Sequence, residues 1–330
     1  MDGPYFNNSS IIVSLAHNSY WQSILMKQYA LLIGNDINNL TPNNSWGDLL
    51  FQIVDFCNAR SLIKSFSNKP FPLLYEEIFL KSVREKHFKE SDLKKLIAEK
   101  VSTIEQNEIH ERIRNFPVKH ILTTNYEFTL EGTVPVKGNA LVEEKLYSVF
   151  RHYRTEGKTF WHIHGDCRIP NSINLGFEHY GGQLQAIRNY VATGTNYVNK
   201  DIPRLPLTRR LETGDIAGHS WIELFFTTDI YIMALSLDFV ETDLWWLLTF
   251  RARWKYYSGK PVPNNIYYFI PEEYAVSSKE KIDLLTANGI IVIDDIPGKN
   301  RKDYYHRVLD RVEENQYQGV AGLLTTTLLT

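Results

Sequence analysis

Three stretches place chemically able side chains directly after short apolar runs. Leu31-Leu32-Ile33 leads into Gly34, Asn35 and Asp36, Ile121-Leu122 into Thr123, Thr124, Asn125 and Glu127, and Phe160-Trp161 into His162, His164 and Gly165. His164 is the strongest acid–base candidate, because imidazole titrates near neutral pH and can take a proton from a hydroxyl. Asn125 both donates and accepts, which suits a ribose hydroxyl or a water. An Asx turn or helix cap is the competing use of that residue. Gly34 marks a tight turn, where an unusual backbone angle or the close approach of a ligand is expected. The three-glycine dinucleotide fingerprint and the Gly-Lys-Ser/Thr phosphate loop are both absent. His162 and His164 share one side of a strand, so a metal pair completed by His179 or Cys167 is the rival arrangement. No metal is expected there.

The elements that must position these residues follow from the same pattern. Strands are expected over 29–33, 118–123, 159–163, 225–237, 264–270 and 289–293, and helices over 45–56, 81–100, 101–116, 178–192, 241–257 and 279–287. Ser45 is a candidate N-cap of the first helix. Strands alternating with helices, with polar residues at the strand ends, predict an α/β fold with an open parallel sheet and helices on both faces. Ligands in such sheets sit beyond the carboxyl ends, at the point where strand order reverses. Residues 57–117 read as a helical insertion or subdomain within a single domain over 1–330, and 296–330 as a C-terminal extension and candidate interface.

Composition excludes several classes. The chain has 330 residues, 43% of them hydrophobic and 22% charged, with 36 basic and 38 acidic side chains for a net charge of −2. That is a folded composition with no basic excess to ask for nucleic acid. Two cysteines, Cys57 and Cys167, cannot build a four-cysteine zinc module, and a reducing cytoplasm suits them. No secretory leader and no membrane span are expected. The segment with Trp245, Trp246, Trp254, Tyr256 and Tyr257, interleaved with Arg251, Arg253 and Lys255, reads as a packing or interface helix more readily than as a base-stacking surface.

Taken together, Leu31-Leu32-Ile33-Gly34-Asn35, Leu122-Thr123-Thr124-Asn125-Tyr126-Glu127, His162-Ile163-His164-Gly165, Ala234-Leu235-Ser236-Leu237 and the run from Glu241 to Leu248 resemble the bacterial sirtuin-like domains that hydrolyse NAD in anti-phage defence. The resemblance spans about residues 29–295. It implies a Rossmann-like sheet with NAD across its carboxyl edge. Asn125 and His164 would be the catalytic pair, and Gly34, Asn35, Asp36, Thr124, Glu127, Gly165, Ser236 and Asp243 would line the nucleotide. Asp36 and Ala234 stand where glycine is usual and Glu127 where aspartate is usual. A carboxylate at position 36 is compatible with a pyrophosphate only if it points away. The zinc module of the deacylase branch is missing.

The resemblance further implies an NAD+ glycohydrolase that needs no metal and releases nicotinamide and ADP-ribose. Its expected partners are other copies of itself and a separate DNA-translocase-type ATPase. The alternatives are a nucleotide-binding sensor with weak turnover and an assembly module for that ATPase.

Overall fold

The computed structural model describes residues 28–66, 68–86, 89–135 and 146–327, with side chains given only as far as Gln316 in the last of these spans. Among them the strands are β1 (Tyr29–Ile33), β2 (His120–Thr123), β3 (His152–Thr155), β4 (Lys158–His162), β5 (Asp229–Met233), β6 (Ile266–Pro271) and β7 (Ile291–Ile296). The helices are α1 (Trp46–Phe56), α2 (Phe71–Lys86), α3 (Glu90–Val101), α4 (Glu108–Asn115), α5 (Phe177–Arg188), α6 (Leu207–Thr213), α7 (Trp221–Thr227), α8 (Thr242–Tyr256), α9 (Glu272–Ala275), α10 (Lys279–Ala287) and α11 (Arg301–Thr327).

All seven strands form one sheet in the order β3-β4-β2-β1-β5-β6-β7. Every pairing is parallel except the β3–β4 hairpin. Without β3, the parallel strands run third, second, first, fourth, fifth, sixth in chain order. That is the doubly wound Rossmann order, and its reversal point lies between β1 and β5.

β1 is the central strand and all five of its residues are buried. The period of two sends alternate residues to opposite faces. Ala30 and Leu32 join one core with Leu122, Ile230 and Ile232, covered by α5, α7 and α8. Leu31 and Ile33 join another with Ile121, Tyr231 and Met233, covered by Ile109 and Ile113 of α4 and by Tyr305, Val308 and Leu309 of α11. Burial on both faces explains why these strands read as unbroken apolar runs rather than as alternation. A third core, separate from the sheet, joins α1, α2 and α3 and rests on Tyr126, Ile173 and Leu175.

The structure departs from the sequence reading at several places: α6 and α11 were not expected as helices, and the helical stretch expected over 81–100 is divided between α2, which begins at Phe71, and α3. The stretch expected as one strand over 225–237 divides into α7 and β5. Ser220 caps α7 by accepting from the Ile222 N–H at 3.2 Å. All six residues from Trp221 to Phe226 are buried, so no amphipathic stripe betrays the helix. The helix expected over 101–116 does not begin until Glu108, where the Asn107 side chain accepts from the Ile109 and His110 N–H groups. β3 was not expected. Its hairpin turns through Glu156 (φ 52°) and Gly157 (φ 78°), both left-handed as a two-residue type I′ loop requires.

The aromatic helix α8 packs Trp245, Trp246, Phe250 and Trp254 against the first core. Tyr256 and Tyr257 at its end are 61% and 83% exposed. The side chains of the apolar segment 319–330, expected as an interface, lie outside the described residues. Among the described residues no helix is long and apolar enough to cross a membrane.

Candidate active site

The loops after β1 and β5 meet at the reversal point with almost no space between them. A Cβ on Gly34 would stand 2.2 Å from the Ala234 carbonyl oxygen. The backbone at Gly34 is ordinary, with φ −98°. Glycine is therefore needed here for the approach of the neighbouring loop. This corrects the expectation of an unusual angle or a ligand at that atom. The Gly34 N–H donates to Met233 O and the Asp36 N–H to Ala234 O, both at 3.0 Å. Ala234 itself is left-handed, with φ 58°, a conformation that favours glycine. Gly165 needs glycine on both counts, since its φ is +96° and a Cβ would lie 2.1 Å from Ser172 O.

The Asn125 and His164 positions are brought together by the sheet. Thr123 of β2 pairs with His162 of β4, so Asn125 and His164 each lie two residues beyond that rung on adjoining strand ends. The Ile163 N–H donates to Thr123 O at 2.9 Å, and the Thr123 hydroxyl accepts from the Asn125 N–H at 3.0 Å. His164 is buried, and its Nε2 donates to Asp243 Oδ2 at 2.9 Å. The ring meets the edge of Tyr180 at 5.2 Å. Among the described residues Nδ1 has no hydrogen-bond partner, so it is the atom left to accept a proton. Burial works against charge on the ring, but the Asp243 carboxylate and its hydrogen bond, with Glu241 beyond, outweigh it and hold His164 above its ordinary value.

A cleft of about 300 Å³ opens over these strand ends, and its wall includes Asn35, Asp36, Thr124, His164, Ser236 and Glu241. Asn125 lies behind Thr124 and Tyr126 and is 1% exposed. Its carboxamide oxygen and nitrogen are both buried without a partner, as are Asp243 Oδ1 and Glu241 Oε2. Buried polar atoms are ordinarily paired, so four orphans on the end of β2 and the start of α8 set this place apart. A larger cleft of about 970 Å³ continues on the far side of the Ala234–Ser236 loop, sharing Asp36, Ala234, Leu235 and Ser236 with the first. Together they follow the carboxyl edge of the sheet across the reversal point. The first holds Asp36, Asp238 and Glu241 with no lysine or arginine, whereas the second sets Lys281, Lys299 and Arg301 beside Asp36, Glu272 and Glu273.

Asp36 lines both clefts, with its carboxylate engaged by neighbouring side chains. Its carboxylate takes the Tyr305 hydroxyl at 2.5 Å, Asn39 Nδ2 at 2.9 Å and the Arg301 guanidinium at 3.1 Å. Glu127 does not reach the first cleft. It accepts from Asn38 Nδ2 at 2.8 Å and from Thr129 at 3.2 Å, and burial raises its carboxyl above the usual range. Asn38 in turn donates to Asn35 Oδ1 at 2.8 Å and receives His110 Nε2 at 2.9 Å, so Glu127 anchors the loop after β1. Gly165 serves the turn after β4, and Asp243 acts on the cleft through His164.

The histidines considered as metal ligands are engaged elsewhere. His162 Nδ1 donates to Asn125 O at 3.0 Å and Nε2 faces Glu131 Oε1 at 2.7 Å. His179 Nδ1 accepts from the Leu175 and Gly176 N–H groups, and its Nε2 faces Glu90 at 3.0 Å. Burial pushes the Cys167 thiol up to about 12. Among the described residues no group of three potential ligands is poised to hold a metal ion.

Sequence reasoning missed Glu241, Tyr126 and Trp46 in the cleft wall. For Glu241 a signal existed: an acid at the first position of a helix, two residues before Asp243. Searches of family models and of curated proteins find no match to this chain. The class that fold and site define is a Rossmann-like α/β protein with a histidine–carboxylate pair in the cleft over the carboxyl ends of its strands.

Proposed function

We propose that the protein is an NAD+ glycohydrolase that cleaves the bond between nicotinamide and ribose. The observation that carries the reading is the set of buried, unpartnered polar atoms on Asn125, Asp243 and Glu241 around His164, over the carboxyl ends of a Rossmann sheet. The paired clefts along the carboxyl edge offer room for a dinucleotide. The acidic first cleft suits the cationic pyridinium–ribose end, and the lysines and arginine of the second suit the phosphates. The Asp36 carboxylate is no obstacle, since Arg301 and Tyr305 hold it to one side.

In this mechanism the C1′–N bond breaks and its electron pair neutralises the pyridinium nitrogen as nicotinamide leaves. Asn125 orients a water or a ribose hydroxyl, once Thr124 and Tyr126 give access to it. The water oxygen bonds to C1′, and His164 Nδ1 takes its proton while Asp243 steadies the ring. The products are ADP-ribose and nicotinamide, and no metal takes part. The resemblance to defence domains extends the proposal to a homo-oligomer working with a separate DNA-translocase-type ATPase.

The test is to mix purified protein with NAD+, alone and with the product of a neighbouring ATPase gene, and to follow nicotinamide and ADP-ribose. Release that disappears in His164→Ala and Asn125→Ala supports the proposal. The second reading, a sensor that binds the nucleotide without turnover, draws on the burial of Asn125 behind the cleft wall. Tight ADP-ribose binding with no nicotinamide release under either condition would favour it.

A further inference from the structure

We propose that Glu241 is a catalytic residue of this site, the carboxylate that meets the positive charge of the pyridinium and of the ribosyl cation formed as nicotinamide leaves. The inference rests on the NAD-cleaving reading and adds a residue that neither the motifs nor the resemblance singled out.

Three observations carry it. Glu241 occupies the N-cap position of α8, yet its side chain makes no capping hydrogen bond. The backbone there is fully used, with the Glu241 N–H donating to Asp238 O and the Trp245 N–H donating to Glu241 O. The side chain is instead part of the cleft wall beside His164. Its Oε2 is covered by protein and has no partner. A helix start normally uses such an acid to satisfy its own free N–H groups, so a carboxylate withheld from that role is available to a ligand.

The charge count points the same way. With His164 in the neutral form that can take the water's proton, Asp243 and Glu241 leave the cleft with uncompensated negative charge. No lysine or arginine stands in this cleft. Burial drives the Glu241 carboxyl up to about 7, the positive His164 opposing and Asp243 adding to the effect. A cation entering the cleft restores the balance. Preorganised charge of this kind acts most strongly where positive charge grows, which here is at C1′ and its ring oxygen as the C1′–N bond lengthens. The electron pair goes to the departing nitrogen, and the water that then bonds to C1′ gives its proton to His164. Glu241 exchanges no atom in the step.

Two measurements on the full chain test this. In the first, Glu241→Gln is compared with wild type for nicotinamide release from NAD+ and for ADP-ribose binding by calorimetry. We expect kcat to fall by about a hundredfold or more, ADP-ribose affinity to stay within about threefold, and the group near pH 7 to vanish from the pH profile. In the second, binding of uncleavable carbocyclic NAD+, which keeps the pyridinium charge, is compared with binding of neutral NADH. Wild type should prefer the cationic ligand and Glu241→Gln should lose that preference. An active wild type whose Glu241→Gln variant keeps kcat within threefold, or keeps the preference for the cation, overturns the role of Glu241. A wild type that releases no nicotinamide yet binds the cationic ligand in a Glu241-dependent manner overturns the hydrolase reading and upholds cation recognition by Glu241.

Discussion

Replacing Asp243 by Asn isolates what the carboxylate does for His164. Asp243 is fully buried, its Oδ2 lies 2.9 Å from His164 Nε2, and its charge raises the proton affinity of both His164 and Glu241. A buried hydrogen bond to a charged group contributes about 1.5–3 kcal/mol, which is roughly ten- to a hundredfold in proton affinity. Asn keeps the shape and an acceptor oxygen but not the charge. The base form of His164 and the ionised form of Glu241 should therefore both be reached at lower pH. The rising limb of kcat/KM against pH, followed by nicotinamide release between pH 5 and 9, should move to the acid side, and the maximum should fall because the base is weaker. Stability carries a matching sign. A histidine raised above its ordinary value of 6.5 stabilises the folded state fully below that pH and loses this contribution as pH rises through its folded value. That alkaline loss, measured by urea unfolding, should shrink in Asp243→Asn. A rising limb at the wild-type pH in a folded Asp243→Asn protein refutes the coupling.

Gly34→Ala forces a methyl to within 2.2 Å of Ala234 O and should cost about 1–3 kcal/mol in urea unfolding, with weaker ADP-ribose binding, since the loops that part are those lining both clefts. His110 is held neutral, with burial pushing it down to about 4 and Arg114 assisting, so its contribution is intact above pH 6.5 and is lost as pH falls toward 4. The acid loss from this one residue approaches about 3 kcal/mol, and a His110→Gln protein should show a shallower slope of stability against pH over that window. Arg210 and Glu223 form a buried ion pair at 2.8 Å. Arg210→Met removes the cation from Glu223, which keeps only its hydrogen bonds from Tyr190, Gly218 and His219, and should lower unfolding stability by about 3 kcal/mol, readable from the urea midpoint.

Strand ends were the most legible part of the chain. β1, β2, β4 and β6 are short, largely buried runs that stop at polar or turn residues, and a parallel sheet buried on both faces leaves that signature, while β7 is a half-exposed edge strand. The pairing of Asn125 with His164 follows once those runs are laid side by side. What stayed hidden has common physical causes. α7 is buried all round, Glu223 included, so its period carries no signal. Gly34 has no special torsion, and its need for a bare Cα comes from Ala234, two hundred residues away in sequence. The fates of Asp36 and Glu127 were settled by Arg301, Tyr305 and Asn38, partners that no local pattern names. Glu241 was overlooked because an acid at a helix start is usually a cap.

The grip of α11 on the loop after β1 has a consequence for biosynthesis. Tyr305 and Arg301 fix Asp36, and Tyr304, Val308, Leu309 and Val312 complete the core beneath Leu31, Ile33 and Met233. A nascent chain that has released β1 through β7 from the ribosome still exposes to water the part of one sheet face that α4 does not cover. The first loop is then untethered and the larger cleft lacks a wall. Vectorial synthesis, at about 5–20 residues per second, thus leaves an interval in which the sheet can form while the nucleotide groove cannot. Competence arrives only with the segment around residue 305, so ribosomes stalled earlier yield fragments with an open apolar face, suited to chaperones and proteases rather than to ligand.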